Sequence, residues 1–233
     1  MDVHVSDASV AAPASSTPTI PPVTTTASSS FSFTATSSEP EPPRDGRIAR
    51  SHRTIEHIVR ALLELLERDG DLRPTAYQVA HRAGVSRRAL YLHFESLEAV
   101  FATATERRVR EVFTAWDPPG PDTRIGERID WFTRQWSSML EALGPLRRAT
   151  ALHEPFSNRV RSTLDRTRQW AREAVEHTFE PELSAVSDDE RERLTAALHH
   201  VSSPSAWDDL RRQGADVPLA REAMHRLLHA LFT

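Results

Sequence analysis

Arg87, Arg88, Tyr91 and His93 fall within seven residues of one another and place two guanidiniums, a phenol and an imidazole on one short segment. Guanidinium donates in parallel to the O6 and N7 of guanine, and all four groups can hold phosphate oxygens, so the chemistry they offer is recognition of a nucleic acid. They sit in the stretch Thr75 to Phe94, where two short helical patterns flank Ala83-Gly84-Val85-Ser86. Val79, Ala80 and Ala83 form one small apolar face, and Leu90 and Phe94 form another at i, i+4, so the two helices can pack on each other. Gly84 can take the left-handed backbone that ends the first helix, while Thr75 and Ser86 can cap the two helix starts. This order of parts is a helix-turn-helix, which leaves the arginines, Tyr91 and His93 facing outward.

Composition narrows the chemistry further. The 233 residues contain no cysteine and no lysine, so all 29 basic residues are arginine. Disulfides, thiolate metal sites, a Schiff-base lysine and a P-loop lysine are thereby excluded. Net charge is −4, but it is unevenly spread. Residues 1–43 carry four acids and no base, residues 44–116 carry an excess of three positive charges, and residues 117–233 carry an excess of three negative ones. The positive excess coincides with the helix-turn-helix. No run approaches the ~20 apolar residues of a membrane span, and the start lacks the basic-then-apolar order of a signal peptide, so a cytoplasmic protein with no membrane partner is expected.

Three segments follow from the pattern. Residues 1–43 are rich in Ser, Thr, Pro and Ala, with Phe31 and Phe33 as their only aromatics, and read as a disordered tail. Residues 44–116 read as the DNA-binding domain. Arg44, Arg47, Arg50 and Arg53 lead into a stripe of Ile55, Ile58, Val59, Leu62, Leu63 and Leu66, either as an arm along the DNA or as solvated charge. Ser96 can cap a long fourth helix, whose first amides near Leu97 and Glu98 would suit a phosphate if that end faced DNA. The break at Asp117-Pro118-Pro119-Gly120-Pro121 separates this domain from residues 117–233.

Beyond it the periodicity is helical throughout. Ile125, Ile129, Phe132, Trp136, Met139 or Leu140, and Leu143 form a stripe expected to end at Gly144-Pro145, and Leu146 to Leu152 reads as a separate short segment. A further stripe runs from Val160 to Phe179. Ser187-Asp188-Asp189-Glu190 has the spacing of a capping box, and Asp216 with Pro218 opens a last amphipathic helix. The expected fold is all-α, with a four-helix head and a bundle of about five helices.

The run Thr75-x-x-Gln78-Val79-Ala80-x-x-Ala83-Gly84-Val85-Ser86, followed by Leu90-Tyr91-x-His93-Phe94, resembles the DNA-binding head of the tetracycline-repressor (TetR) family of transcriptional regulators. The close likeness covers roughly residues 50–105. A weaker one, in Trp207-x-x-Leu210-Arg211, Gly214 and the last helix, extends to the C-terminus. The resemblance implies a homodimer paired through its last two helices, a double-stranded operator as partner, and a small-molecule effector bound by the C-terminal domain. It implies phosphate contacts for Thr75, Tyr77, Tyr91 and His93. The base-facing start of the recognition helix falls at Ser86, Arg87, Arg88 and Ala89. Two departures stand out: Leu97 occupies a position where the family often has a phosphate-binding lysine, and Arg87-Arg88 replaces residues that are frequently smaller.

For the effector, Trp131, Met139, His153, Phe156 and Trp170 are the candidate lining, with Trp136 assigned to the core. Arg147 and Arg148 would suit an anionic ligand or a solvated face. His225 and His229, with His199-His200 on the helix before, have a spacing that can hold a metal, yet no third ligand completes a set, so no metal and no cofactor are expected. A repressor released by its effector is the leading function. The alternatives are a helical DNA binder without a ligand switch and an all-helical enzyme, for which no nucleophile-base pair or phosphate loop is recognisable.

Overall fold

In the computed structural model the described residues are 46–233, and the tail expected over 1–43 lies outside them. The first helix, α1 (Gly46–Glu67), turns a stripe of Ile58, Val59, Leu62, Leu65 and Leu66 inward, and Gly70 at φ +67° reverses the chain after it. Arg50 and Arg53 are part of this helix. The arm expected of the arginines is therefore corrected for these two: the helix begins nine residues before Ile55, about two and a half turns further back than the apolar stripe reveals. The short helices α2 (Ala76–Arg82) and α3 (Arg87–His93) pack on α1, and α4 (Leu97–Thr114) closes the head.

The second region holds α5 (Ile125–Ala151), a 3-10 turn at Glu154–Phe156, α6 (Asn158–Thr178), α7 (Glu180–Ser184), α8 (Asp188–Val201), α9 (Pro204–Arg212) and α10 (Val217–Ala230). Six helices thus stand where about five were expected. The five-residue α7, opened by Pro181, and the nine-residue α9, opened by Pro204, are too short for periodicity to reveal. Ser187 stands at the start of α8 but its side chain makes no cap bond, so the expected capping box is absent. Asp188, Asp189 and Glu190 instead offset the positive end of that helix.

The main correction concerns Gly144-Pro145. These residues do not end a helix; α5 continues through them for 27 residues. Proline in a helix interior removes one backbone bond and crowds the preceding turn, at about 3 kcal/mol. Packing on both sides offsets this. Ile129, Phe132, Trp136, Met139 and Leu140 belong to the core of the second region, while Leu146 and Ala149, beyond the proline, belong to the core of the head. One helix therefore joins both cores.

The Pro-rich linker between α4 and α5 is pinned by Arg128, which is 2% exposed. Its Nη2 donates to the carbonyls of Pro121 at 3.0 Å and Thr123 at 2.8 Å, its Nη1 to that of Thr178 at 3.3 Å, and Glu182 lies 3.5 Å from its Nε. The carbonyl bonds and the charge of Glu182 offset much of the cost of burying this guanidinium, while its Nε makes no hydrogen bond among the described residues.

Candidate nucleic-acid interface

The two short helices are specified locally. Thr75 and Gln78 form a capping box on α2: the Gln78 amide donates to Thr75 Oγ1 at 3.3 Å, and the Thr75 amide donates to Gln78 Oε1 at 2.8 Å. Gln78 Nε2 in turn donates to Asp71 in the preceding loop at 3.0 Å. Gly84 adopts φ +71°, and Ser86 Oγ accepts from the Ala89 amide at 3.0 Å to start α3. Val79, Ala80, Leu90 and Phe94 are all buried in the head core. Each large apolar side chain so buried contributes about 1.5–3 kcal/mol, which fixes the rotation of α3 and hence the direction of its polar face.

That face carries the candidates. Thr75, Tyr77, Ser86, Arg87, Arg88 and Tyr91 are exposed, and Ala89 and His93 are half-buried. Arg87 and Arg88 have no carboxylate partner among the described residues, whereas Arg82, Arg107 and Arg108 pair with Asp69, Glu56 and Glu67 within the head. The Thr75 hydroxyl donates to Gln78 Oε1 at 2.7 Å, so donating to a phosphate would require its proton to turn away from that cap. Tyr77 stacks along α2 on His81.

Sequence reasoning missed part of this surface. Ile48, Arg50, Ser51 and Thr54 of α1 border one shallow groove together with Leu92 and His93 of α3, and Ser51 Oγ lies 3.3 Å from His93 Nδ1. Leu92 is 81% exposed. Counting the α1 period backward from Ile58 through Ile55 to Ser51 and Ile48 would have found the α1 side.

The start of α4 does not offer the phosphate site expected there. Ser96 Oγ accepts from the Ala99 amide at 3.2 Å, and Glu98 places its own carboxylate at this helix end. Burial pushes the Glu98 carboxyl up. Its own backbone amide, the Ser96 hydroxyl and His153 outweigh that and hold it below the ordinary value of 4.5. A second anion would meet that charge. Leu97, which replaces the family's lysine, packs against the head core.

The effector candidates separate into two places. Trp131 and Trp170 lie 4.8 and 6.2 Å, ring centre to ring centre, from Trp116, in a cluster that also includes Phe113, Phe132 and Trp136. Met139 is buried in the same core. His153 lies apart, its ring tilted 34° to that of Phe101 at 4.4 Å between centres and its Nδ1 3.5 Å from Glu98, and Phe156 is 84% exposed. Trp136, placed in the core, is fully buried and donates from Nε1 to the Ser202 carbonyl at 2.7 Å. Arg147 and Arg148 both pair with Asp208 of α9, which accounts for them without a ligand. His225 is held by Asp130 at 2.8 Å, and His199 Nε2 lies 2.9 Å from Glu176 without a hydrogen bond.

Residues 58–104 match the family model for bacterial regulatory proteins of the tetR family. No curated protein matches the chain. Among solved structures, a transcriptional regulator from Rhodococcus sp. Rha1 superposes with a TM-score of 0.56 at 18% identity, over 76% of this chain and 95% of that one. A tetR-family transcriptional regulator from Streptomyces coelicolor gives 0.52 at 17% identity, over 80% of each chain. A transcriptional regulator from Aquifex aeolicus VF5 gives 0.50 at 17% identity, over 77% of this chain and 99% of that one. At such identities the likeness is one of fold.

Proposed function

Because this chain has the fold and the DNA-binding domain of a TetR-family transcriptional regulator, we propose that it is a repressor that binds a near-palindromic operator as a homodimer and leaves it when a small molecule binds. The observation that carries the reading is the outward face of α3: Arg87, Arg88 and Tyr91 stand exposed while Leu90, on the opposite side, is completely buried. Arg87 and Arg88 read bases, with Ser86 and Ala89 at the same edge, and Thr75, Tyr77, Tyr91 and His93 hold the phosphate backbone. The functional division is residues 44–116 for DNA and 117–233 for effector and dimer. Trp131, Met139 and Trp170 belong to the effector site, with His153 and Phe156 at its far margin.

Dimerisation through the end of the chain is supported by α10, where Leu219 and Leu227 are 59% and 51% exposed, eight residues apart on one face. A two-fold pair would set two α3 helices about 34–36 Å apart in successive major grooves. The effector lowers DNA affinity by binding better to a protein whose heads are not at that spacing. The protein acts as a regulator and not an enzyme, in the cytoplasm; no helix among the described residues is long and apolar enough to cross a membrane.

Selection of bound fragments from random and genomic DNA tests the proposal. The expected result is two inverted, guanine-containing half-sites about one helical turn apart. Failure to enrich any motif at low or moderate salt would overturn it.

A further inference from the structure

Two of the large buried indoles in this protein have their N–H groups satisfied: Trp136 donates to the Ser202 carbonyl and Trp207 to Glu141, both at 2.7 Å. Trp116 is different. Its Nε1 is shut off from solvent and has no hydrogen-bond partner among the described residues. Buried donors are nearly always paired, because leaving one unpaired forfeits its hydration with nothing in return. The groups around it are rings. Trp131, Trp136, Phe132 and Trp170 all stand steeply inclined to the Trp116 plane, at 67°, 73°, 90° and 82°. A ring face is at best a weak acceptor.

The placement of this donor suggests a use. Trp116 follows α4, the last helix of the head, at the start of the linker that Arg128 pins. It touches Trp136 of α5, the helix that continues into the head core. Trp116, Trp131 and Trp170 are each only partly covered, so the ring cluster borders solvent. We propose that the effector is a flat, uncharged aromatic molecule bearing a carbonyl, which enters this cluster and accepts a hydrogen bond from Trp116 Nε1. This rests on the reading of the protein as a ligand-released repressor and gives that site a ligand class. Apolar walls disfavour a carboxylate, and an inward N–H donor disfavours a cation. Stacked rings supply contact area and the carbonyl satisfies the donor.

The test uses the full chain and two matched bicyclic probes, coumarin, which has a carbonyl, and naphthalene, which has none. Binding is followed by calorimetry on the native protein, on Trp116→Phe, and on a protein carrying 3-benzothienylalanine at position 116, which keeps the double ring but lacks the N–H. The expected result is that coumarin binds the native protein roughly 2- to 12-fold more tightly than naphthalene, and that this preference disappears in both altered proteins. The benzothienyl protein preserves the packing should the phenylalanine variant fold poorly. The proposal is overturned by equal affinities in the native protein, by a coumarin preference that survives loss of the N–H, or by no saturable binding of coumarin. Operator release is measured separately. Coumarin bound at Trp116 without release overturns the ligand switch and leaves the site standing, whereas release by another compound indifferent to position 116 overturns the site and leaves the switch.

Discussion

Thr105 of α4 and Thr150 of α5 share a hydrogen bond of 3.1 Å between hydroxyls, with both side chains buried. It joins the last helix of the head to the part of α5 that lies beyond Pro145, beside Leu146 and Ala149 in the head core. Removing one partner strands the other in an apolar setting. Thr150→Val is therefore expected to destabilise the protein by about 1–3 kcal/mol, and the double change Thr105→Val with Thr150→Val to cost less than the single one. Urea unfolding at one fixed protein concentration measures both. A double variant as unstable as the sum of the two single changes would show that the hydroxyls are not coupled.

The continuity of α5 through Pro145 yields a second expectation. The proline lacks the N–H that would bond the carbonyl of Glu141, and its ring is only half-buried, so its loss leaves little cavity. Pro145→Ala should raise stability by up to about 3 kcal/mol, with helix content retained by circular dichroism. A fall in melting temperature would mean that the ring is a packing element.

Glu98 links stability to pH. Its carboxyl lies below 4.5 in the folded protein: burial opposes this, but the amide of its own residue, Ser96 and His153 prevail. A depressed carboxyl stabilises the fold above the unfolded value, and that stabilisation is lost as pH falls through the lower folded value. Glu98→Gln should therefore melt at a lower temperature than the native protein at neutral pH, and the gap should close on acidification below 4.5. Melting curves that stay parallel across that range would show that Glu98 contributes nothing to the acid limb.

What was legible in the chain was what is local. The Thr75 and Ser86 caps, the Gly84 turn and the apolar faces of α2 and α3 involve residues within a few positions of each other, and all appear as read. What was not legible depended on distant partners. Gly144-Pro145 breaks most helices and failed to break α5 because two cores hold it. Arg147 and Arg148 look like anion ligands until Asp208, some sixty positions on, is seen beside them. The α4 start resembled a phosphate site because the spacing of Ser96 and Glu98 does not say which amides they fill. What Trp116 and Arg128 do is invisible to a local pattern, since it lies in a missing partner for one and in backbone carbonyls for the other.

Arg88 and Tyr91 lie three residues apart on the exposed face of α3, yet their loss should have different consequences. A guanidinium paired with O6 and N7 of one guanine reads that base alone, so Arg88→Ala should relax preference at one position of each half-site by about 1–3 kcal/mol and leave the others intact. A phenol on a phosphate reads no base. Tyr91→Phe should therefore weaken binding to every sequence by a similar factor and leave the selected motif unchanged. Binding selections on the native protein and both variants at one salt concentration separate the two. An unchanged motif for Arg88→Ala would remove it from base recognition, and a changed motif for Tyr91→Phe would place that side chain in the groove and not on the backbone.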